Sequence, residues 1–166
     1  MLDDRKQRKK VRDIMVPLQD YSTVFSENAL KDAIFILRST FNSGCANGSQ
    51  AHRSILVFDN SKRLVGTLSF RDILGILQLN GEMPKHWDGV FTRLCLNQAN
   101  KKVKDVMNPI GQLSVNSEDS ILDAVYLIVN NELELIPVLD KGNVIGMVRT
   151  VEIFYEVSQL VEEHVF

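Results

Sequence analysis

Two hydrophobic periods alternate along the chain. Ala29, Leu30, Ala33, Ile34, Leu37 and Phe41 recur at spacings of one, three and four, which marks one face of a helix opening at Ser26-Glu27-Asn28. The runs at residues 54–58 and 64–68 are short, apolar and separated by a polar turn at residues 59–62, the signature of two strands. Residues 65–74 then pass from a strand end into a helix, with Ile73, Leu74 and Leu77 starting a new apolar face. Asn80-Gly81-Glu82-Met83-Pro84 stops that helix, and a further one is expected from His86-Trp87 to Asn97, with Trp87, Val90, Phe91, Leu94 and Cys95 on one side. Ile153, Phe154, Val157, Leu160 and Val161 give a last amphipathic helix. One-sided helices interleaved with short strands predict an α/β (α+β) chain in which helices lie on small sheets.

The pattern occurs twice. Val11-Arg12-Asp13-Ile14-Met15-Val16-Pro17 returns as Val103-Lys104-Asp105-Val106-Met107-Asn108-Pro109, with four of seven positions identical and two alike. The stretch from Thr23 to Ala33 returns from Ser114 to Ala124, Ile55–Asp59 returns as Ile136–Asp140, and Leu64-Val65-Gly66 returns as Val144-Ile145-Gly146. The order of the pieces is kept, so the chain is built from an internal repeat. Each repeat reads strand–helix–strand–strand–helix. Such a unit is small and marginal alone, and two packed together are expected to share one core. The organisation is then a charged arm at 1–10, a first repeat at 11–80, a linker helix within 81–102 and a second repeat at 103–162. Residues 42–51 are small and polar and have no counterpart after Ile128, so the first repeat carries an inserted loop of about ten residues, either a flap over a site or an idle connection.

The strand-to-helix passage carries the candidate chemistry. Gly66 permits close approach of a backbone or ligand. Ser69 stands at an N-cap position, where free N–H groups favour phosphate, and its hydroxyl can add a donor. Asp72, three residues on, offers a carboxylate able to accept from two neighbouring hydroxyls, such as those of a ribose. The same Ser-x-x-Asp pattern is also an ordinary capping box with Asp in place of Glu or Gln.

With these repeats, the chain resembles a tandem pair of cystathionine-beta-synthase (CBS) domains, a Bateman module, from Val11 to about Leu160. The resemblance rests on Asp13-x-Met15-x-Pro17, Asp105-x-Met107-x-Pro109, the strands around Asp59 and Asp140, and Gly66-x-x-Ser69-x-x-Asp72, which matches the family's Gly-x-x-Thr/Ser-x-x-Asp nucleotide-contact pattern. It implies two repeats packed as one pseudo-twofold module, pairing of two chains into a disc-like homodimer, and an adenosine-containing regulatory ligand: AMP, ADP, ATP or S-adenosylmethionine. It also implies that Ser54, Ile55 and Leu56, with Ile14 and Met15, wall the base. Arg71, between Ser69 and Asp72, either approaches a phosphate or is solvated.

The second copy departs where it matters. Gly146 is kept and Pro137 stands where the first copy has Leu56, but Arg149 replaces the hydroxyl residue and Glu152 the aspartate. Arg149 is either a phosphate ligand or the ion-pair partner of Glu152, which would fill the site.

Composition removes alternatives. The 166 residues are 45% apolar and 24% charged with a net charge of −2, which argues against a broad nucleic-acid surface. No apolar run approaches 18 residues and no apolar segment follows the charged start, so neither a membrane span nor a secretory signal is expected. Cys45 and Cys95 lack metal-ligand spacing, which fits free thiols in a cytoplasmic protein. The basic residues of the arm either meet phosphate or an acidic partner or are solvated, His164 is expected to be exposed, and His86 with Trp87 either stacks on a base or makes a dimer contact. No nucleophile, base and metal-ligand set comes together, so no enzyme is expected. Two functions remain: a ligand sensor acting on a separate effector protein, or a ligand-free dimerisation scaffold. No cofactor is required by either.

Overall fold

A computed structural model describes residues 9–46, 53–76 and 87–165. Its elements in chain order are α1 (Val11–Ile14), β1 (Val16–Pro17), β2 (Thr23–Phe25), α2 (Leu30–Ala46), β3 (Ser54–Phe58), β4 (Leu64–Ser69), α3 (Phe70–Gly75), α4 (Trp87–Gln98), β5 (Asn108–Pro109), β6 (Val115–Asn116), α5 (Ile121–Asn130), β7 (Leu135–Asp140), β8 (Asn143–Arg149) and α6 (Thr150–Val165). Single 3-10 turns occupy Leu18–Asp20 and Val103–Asp105. The chain divides into a mid-chain unit, Tyr21–Ile110, and a split unit, Met1–Asp20 with Gly111–Phe166.

The mid-chain unit has a four-stranded sheet in the order β2-β3-β4-β5. β2 runs parallel to β3, with Thr23 opposite Leu56, and β3 and β4 form an antiparallel hairpin from Ser54 opposite Ser69 to Phe58 opposite Leu64. Its turn is closed by the Asp59 carboxylate, which accepts the N–H groups of Ser61 and Arg63, both at 2.9 Å. This is the local competition of a short carboxylate with the ladder that makes Asp a turn former. Val24, Leu30, Ala33, Leu37, Ile55, Val57, Leu68 and Val103 form the core beneath α2. Phe41 of α2 meets Phe70 edge-to-face at 5.4 Å.

The split unit repeats the plan in the order β1-β8-β7-β6. β7 and β8 are joined through Lys141 and Gly142, both at positive φ (48° and 81°), between paired Asp140 and Asn143. Two positive-φ residues in a two-residue loop are what a right-twisted hairpin requires, and glycine takes the second without strain. The core holds Val11, Ile14, Val115, Ala124, Ile128, Ile136, Val138, Val148 and Ile153.

The repeats of the sequence and the sheets of the structure are therefore different partitions. β5 opens the second repeat but closes the first repeat's sheet, with Gly66 opposite Pro109 and Thr67 opposite Asn108. β1 opens the first repeat and closes the second's, with Val16 opposite Met147 and Pro17 opposite Gly146. The same motif anchors both exchanges. Val11 and Arg12 donate their N–H groups to the carbonyls of Asp119 (2.9 Å) and Ser117 (3.0 Å), and Val103 and Lys104 donate theirs to Asn28 and Ser26, each at 3.0 Å. The valines are fully buried, and the flanking cations reach outward. Lys10 and Arg12 pair with Glu118, and Lys102 and Lys104 pair with Glu27. A Lys-Val-Arg or Lys-Val-Lys triplet thus places one apolar knob inside and two cations on the Ser-Glu turn of the other repeat.

Each unit has its own hydrophobic cluster among the described residues, supplied by both repeats because the opening segments cross over. Two expectations are corrected. The inserted loop is shorter than 42–51. α2 continues to Ala46, with the Ser43 hydroxyl donating to the Ser39 carbonyl at 2.9 Å, and residues 47–51 lie outside the described residues. The arm is not wholly solvated. Lys9 meets both carboxylate oxygens of Glu156 at 2.9 and 2.7 Å, while residues 1–8 are outside the described residues. The expected helix after Trp87 is present as α4, but the side chains of Trp87, Val90, Phe91 and His164, and the whole of His86, also fall outside what is described.

Candidate functional site

The site is built at the end of β4, where the strand turns into α3. Ser69 is the N-cap, in extended conformation (φ −109°, ψ 170°), and forms a reciprocal capping box with Asp72. The Ser69 hydroxyl oxygen accepts the Asp72 N–H at 3.3 Å, and Asp72 Oδ2 accepts both the Ser69 N–H and the Ser69 hydroxyl at 2.7 Å. The box fixes the carboxylate, so Asp72 is presented in one orientation by its own helix start. Its other oxygen, Oδ1, accepts the side-chain amide of Asn108 at 2.6 Å. A carboxylate has roughly four acceptor positions. Three are used among the described residues, which leaves one open; a second opens if Asn108 withdraws.

Asp72 also lines a cavity of about 480 Å³ within the mid-chain unit. Gly75 and Ile76 continue its wall from α3, Leu94 and Gln98 come from α4, and Lys101, Asp105 and Val106 come from the segment before β5. Ligand pockets span roughly 300–1,000 Å³, so the space suits a nucleotide-sized molecule. Apolar wall is supplied by Ile76, Leu94 and Val106, and charge by Lys101, Asp72 and Asp105. The Gln98 side-chain oxygen is buried and has no hydrogen-bond partner among the described residues.

The structure sorts the expected site residues. Gly66, Ser69 and Asp72 come together, and Ser54 pairs directly with Ser69 across the hairpin. Arg71 is exposed. The close approach that Gly66 permits is that of β5, since a Cβ there would lie 2.6 Å from Met107 Sδ and 2.7 Å from the Asn108 carbonyl oxygen. The Ile55 side chain is fully buried in the core cluster. Leu56 is fully buried in the same strand, and its N–H is taken by the Ser22 carbonyl at 3.0 Å, because β3 lies mid-sheet with no free edge. Ile14 and Met15 belong to the split unit, where Ile14 joins the core and Met15 packs on Gly146. The strand exchange that carries them there brings Val106, Met107 and Asn108 to the Asp72 site instead. Asn108, Gln98, Lys101 and Asp105 were missed by sequence reasoning. Asn108 alone had a signal: it is the one unlike position in the seven-residue repeat, opposite Val16.

The second copy is occupied by its own side chains. Arg149 Nε donates to Glu152 Oε1 and Oε2 at 3.0 and 2.9 Å, Nη2 also contacts Oε1, and the Arg149 N–H donates to Oε2 at 3.0 Å. Both side chains are only 16% exposed. Glu152 thus keeps the capping role of Asp72, while the guanidinium takes both oxygens that a ribose would need. Gly146 admits β1, with a Cβ placed 2.8 Å from the Val16 carbonyl oxygen, and Pro137 is buried mid-sheet opposite Met147. Among the described residues, no group of three or more His, Cys, Asp or Glu is placed to hold a metal. No helix among them is long and apolar enough to cross a membrane.

Two exchanged β-α-β-β-α repeats with a capped aspartate at a strand-to-helix turn define the fold class, and comparison with known proteins agrees. The CBS-domain family model matches residues 11–79 and 103–159, and the chain belongs to that family. Its fold is shared with the CBS-pair protein CBSX2 from Arabidopsis thaliana, at 23% identity and a TM-score of 0.65, covering 94% of this chain and 99% of that one. A structure of CBSX2 in complex with AMP is 24% identical with a TM-score of 0.62, covering 91% and 97% of the two chains. The cytosolic domain of the Mg2+ channel MgtE in complex with ATP is 20% identical with a TM-score of 0.58, covering 89% of this chain and 48% of that one. No curated protein matches in a sequence comparison.

Proposed function

We propose that the chain is a regulatory module, not an enzyme, that binds one adenosine-containing ligand in its mid-chain unit. The observation that carries the reading is Asp72: a carboxylate locked by its capping box, retaining one acceptor position, on the wall of a cavity of about 480 Å³. The ribose hydroxyls bind the Asp72 carboxylate, and the base and phosphate extend along the cavity. AMP in CBSX2 and ATP in the MgtE domain support an adenine nucleotide as the class; S-adenosylmethionine carries the same ribose and belongs in the screen. The Arg149–Glu152 pair supports a single ligand per chain.

The output follows from Asn108. A ligand that draws both oxygens of Asp72 competes with the Asn108 amide, and Asn108 sits in β5, three residues before the chain enters the split unit at Gly111. Ligand binding favours whichever arrangement of β5 leaves Asp72 free, and only by its differential affinity for the two. The signal passes in the cytoplasm to a separate effector protein. A homodimer is part of the reading, supported by apolar side chains left exposed on α5 and α6: Leu122, Tyr126, Val129, Phe154 and Val161. A scaffold with no ligand is the second reading, favoured by the filled Arg149–Glu152 site.

Thermal unfolding with AMP, ADP, ATP and S-adenosylmethionine separates them. A ligand at 100 times its dissociation constant adds about 2.7 kcal/mol, a rise of roughly 5–10 °C for a chain of this length. The sensor reading expects the rise in the native protein and its loss in Asp72→Ala. No rise with any ligand leaves the scaffold.

A further inference from the structure

We infer that the stretch from α4 to β5 is a strap that couples the Asp72 cavity to the start of α2: its residues wall the cavity and its carbonyls cap the helix. This rests on the nucleotide reading of that cavity. Leu94 of α4, then Lys101, Asp105 and Val106, line the cavity. The same stretch runs along the turn that opens α2. Leu30 and Lys31 donate their N–H groups to the carbonyls of Lys101 (2.8 Å) and Ala99 (2.9 Å). These are two of the N–H groups that a helix start leaves without an intrahelical partner. Lys101 therefore serves both cavity and cap.

The second repeat shows what the strap replaces. α5 caps itself: the Ser120 hydroxyl oxygen accepts the Asp123 N–H at 3.3 Å, and Asp123 Oδ2 accepts the Ser120 N–H and hydroxyl at 3.0 and 2.8 Å. In the first repeat Asp32 stands where Asp123 does, but Ala29 stands where Ser120 does. Without the hydroxyl the reciprocal box cannot close, and the Asp32 N–H turns to the Ala29 carbonyl at 3.0 Å. The first turn of α2 thus depends on backbone from the linker. α4 holds that linker loosely. Among its described side chains none is fully buried; Leu94 and Cys95 are half-buried and Leu96 is 65% exposed. Elements with few buried contacts open at low free energy. A ligand that touches Leu94 and Lys101 favours the closed strap, and by linkage a better-formed α2 favours the ligand.

The test is residue-resolved hydrogen exchange by NMR on the full chain, with ligand binding followed by calorimetry. Saturating AMP is expected to slow exchange of the Leu30 and Lys31 amides by about 5-fold or more. Ile121 and Leu122, at the equivalent positions of α5, should exchange as before. Ala29→Ser completes the Ser-x-x-Asp box. It should slow the two amides without ligand, shrink the further effect of AMP, and tighten AMP binding by up to the factor that AMP slows the native amides. AMP binding with unchanged exchange at Leu30 and Lys31, or with equal slowing at Ile121 and Leu122, overturns the strap and leaves the nucleotide site standing. So does an Ala29→Ser variant that is more stable yet binds AMP as the native protein does, since a purely structural cap would act in that way. Absence of AMP, ADP, ATP and S-adenosylmethionine binding to the native protein overturns both.

Discussion

Gly66→Ala tests the strand exchange and the site together. The added methyl would lie 2.6 Å from Met107 Sδ and 2.7 Å from the Asn108 carbonyl oxygen. The methionine can swing aside, but the carbonyl belongs to β5 and moves only if that strand leaves its pairing with Gly66 and Thr67. Overpacking of this kind costs about 1–3 kcal/mol, offset by about 0.4–1 kcal/mol from the stiffer unfolded chain. A net loss of about 1–2 kcal/mol lowers the melting temperature by roughly 2–8 °C. Gly89→Ala is the control: its methyl meets nothing within 4 Å, and a helical glycine replaced by alanine gains up to about 1 kcal/mol. Urea titration followed by circular dichroism reads both. Equal stability of the two variants would refute the close passage of β5 over Gly66.

Asn108→Ala removes the internal partner of Asp72 Oδ1. A net hydrogen bond of about 1 kcal/mol is lost, so AMP is expected to bind roughly 5-fold tighter by calorimetry; weaker binding would make Asn108 a ligand contact instead of a competitor. The ion pairs at the crossing predict a pH dependence. Lys102 and Lys104 hold the Glu27 carboxyl down to about 2 from its ordinary 4.5, so the folded chain resists protonating it. Its contribution is complete above pH 4.5 and withdrawn as pH falls towards 2. Glu27→Gln should therefore be less stable than the native protein at pH 7, with the difference closing between pH 4.5 and 2 and shrinking in high salt. A difference that persists at pH 2 would place the effect in packing.

The repeat made most of the fold readable. Hydrophobic spacing located α2, the β3–β4 hairpin and α6, and Ser-x-x-Asp marked a capping box at Ser69. The strand exchange was not readable, because Val11 and Val103 lie in equivalent sequences and either could dock on its own repeat or on the other. A local pattern states which residues are buried and not against what. The placement of Ile14 and Met15 in the split unit follows from this. Arg149–Glu152 was legible as a pairing three residues apart, but the choice between ligand and self-contact needed the geometry in which both carboxylate oxygens face one guanidinium. Gln98 had no signal, since nothing in a linker helix distinguishes a glutamine over a cavity from a solvated one.

The most direct test of the account deletes the hydroxyl from the ligand and leaves the protein intact. AMP and 2′-deoxy-AMP are titrated calorimetrically into the native chain and into Asp72→Ala. A hydrogen bond to a charged acceptor is worth about 1.5–3 kcal/mol, so the native chain should bind AMP roughly 10- to 150-fold more tightly than the deoxy ligand. In Asp72→Ala the two ligands should bind alike. An equal preference for AMP in both proteins would contradict ribose recognition by Asp72.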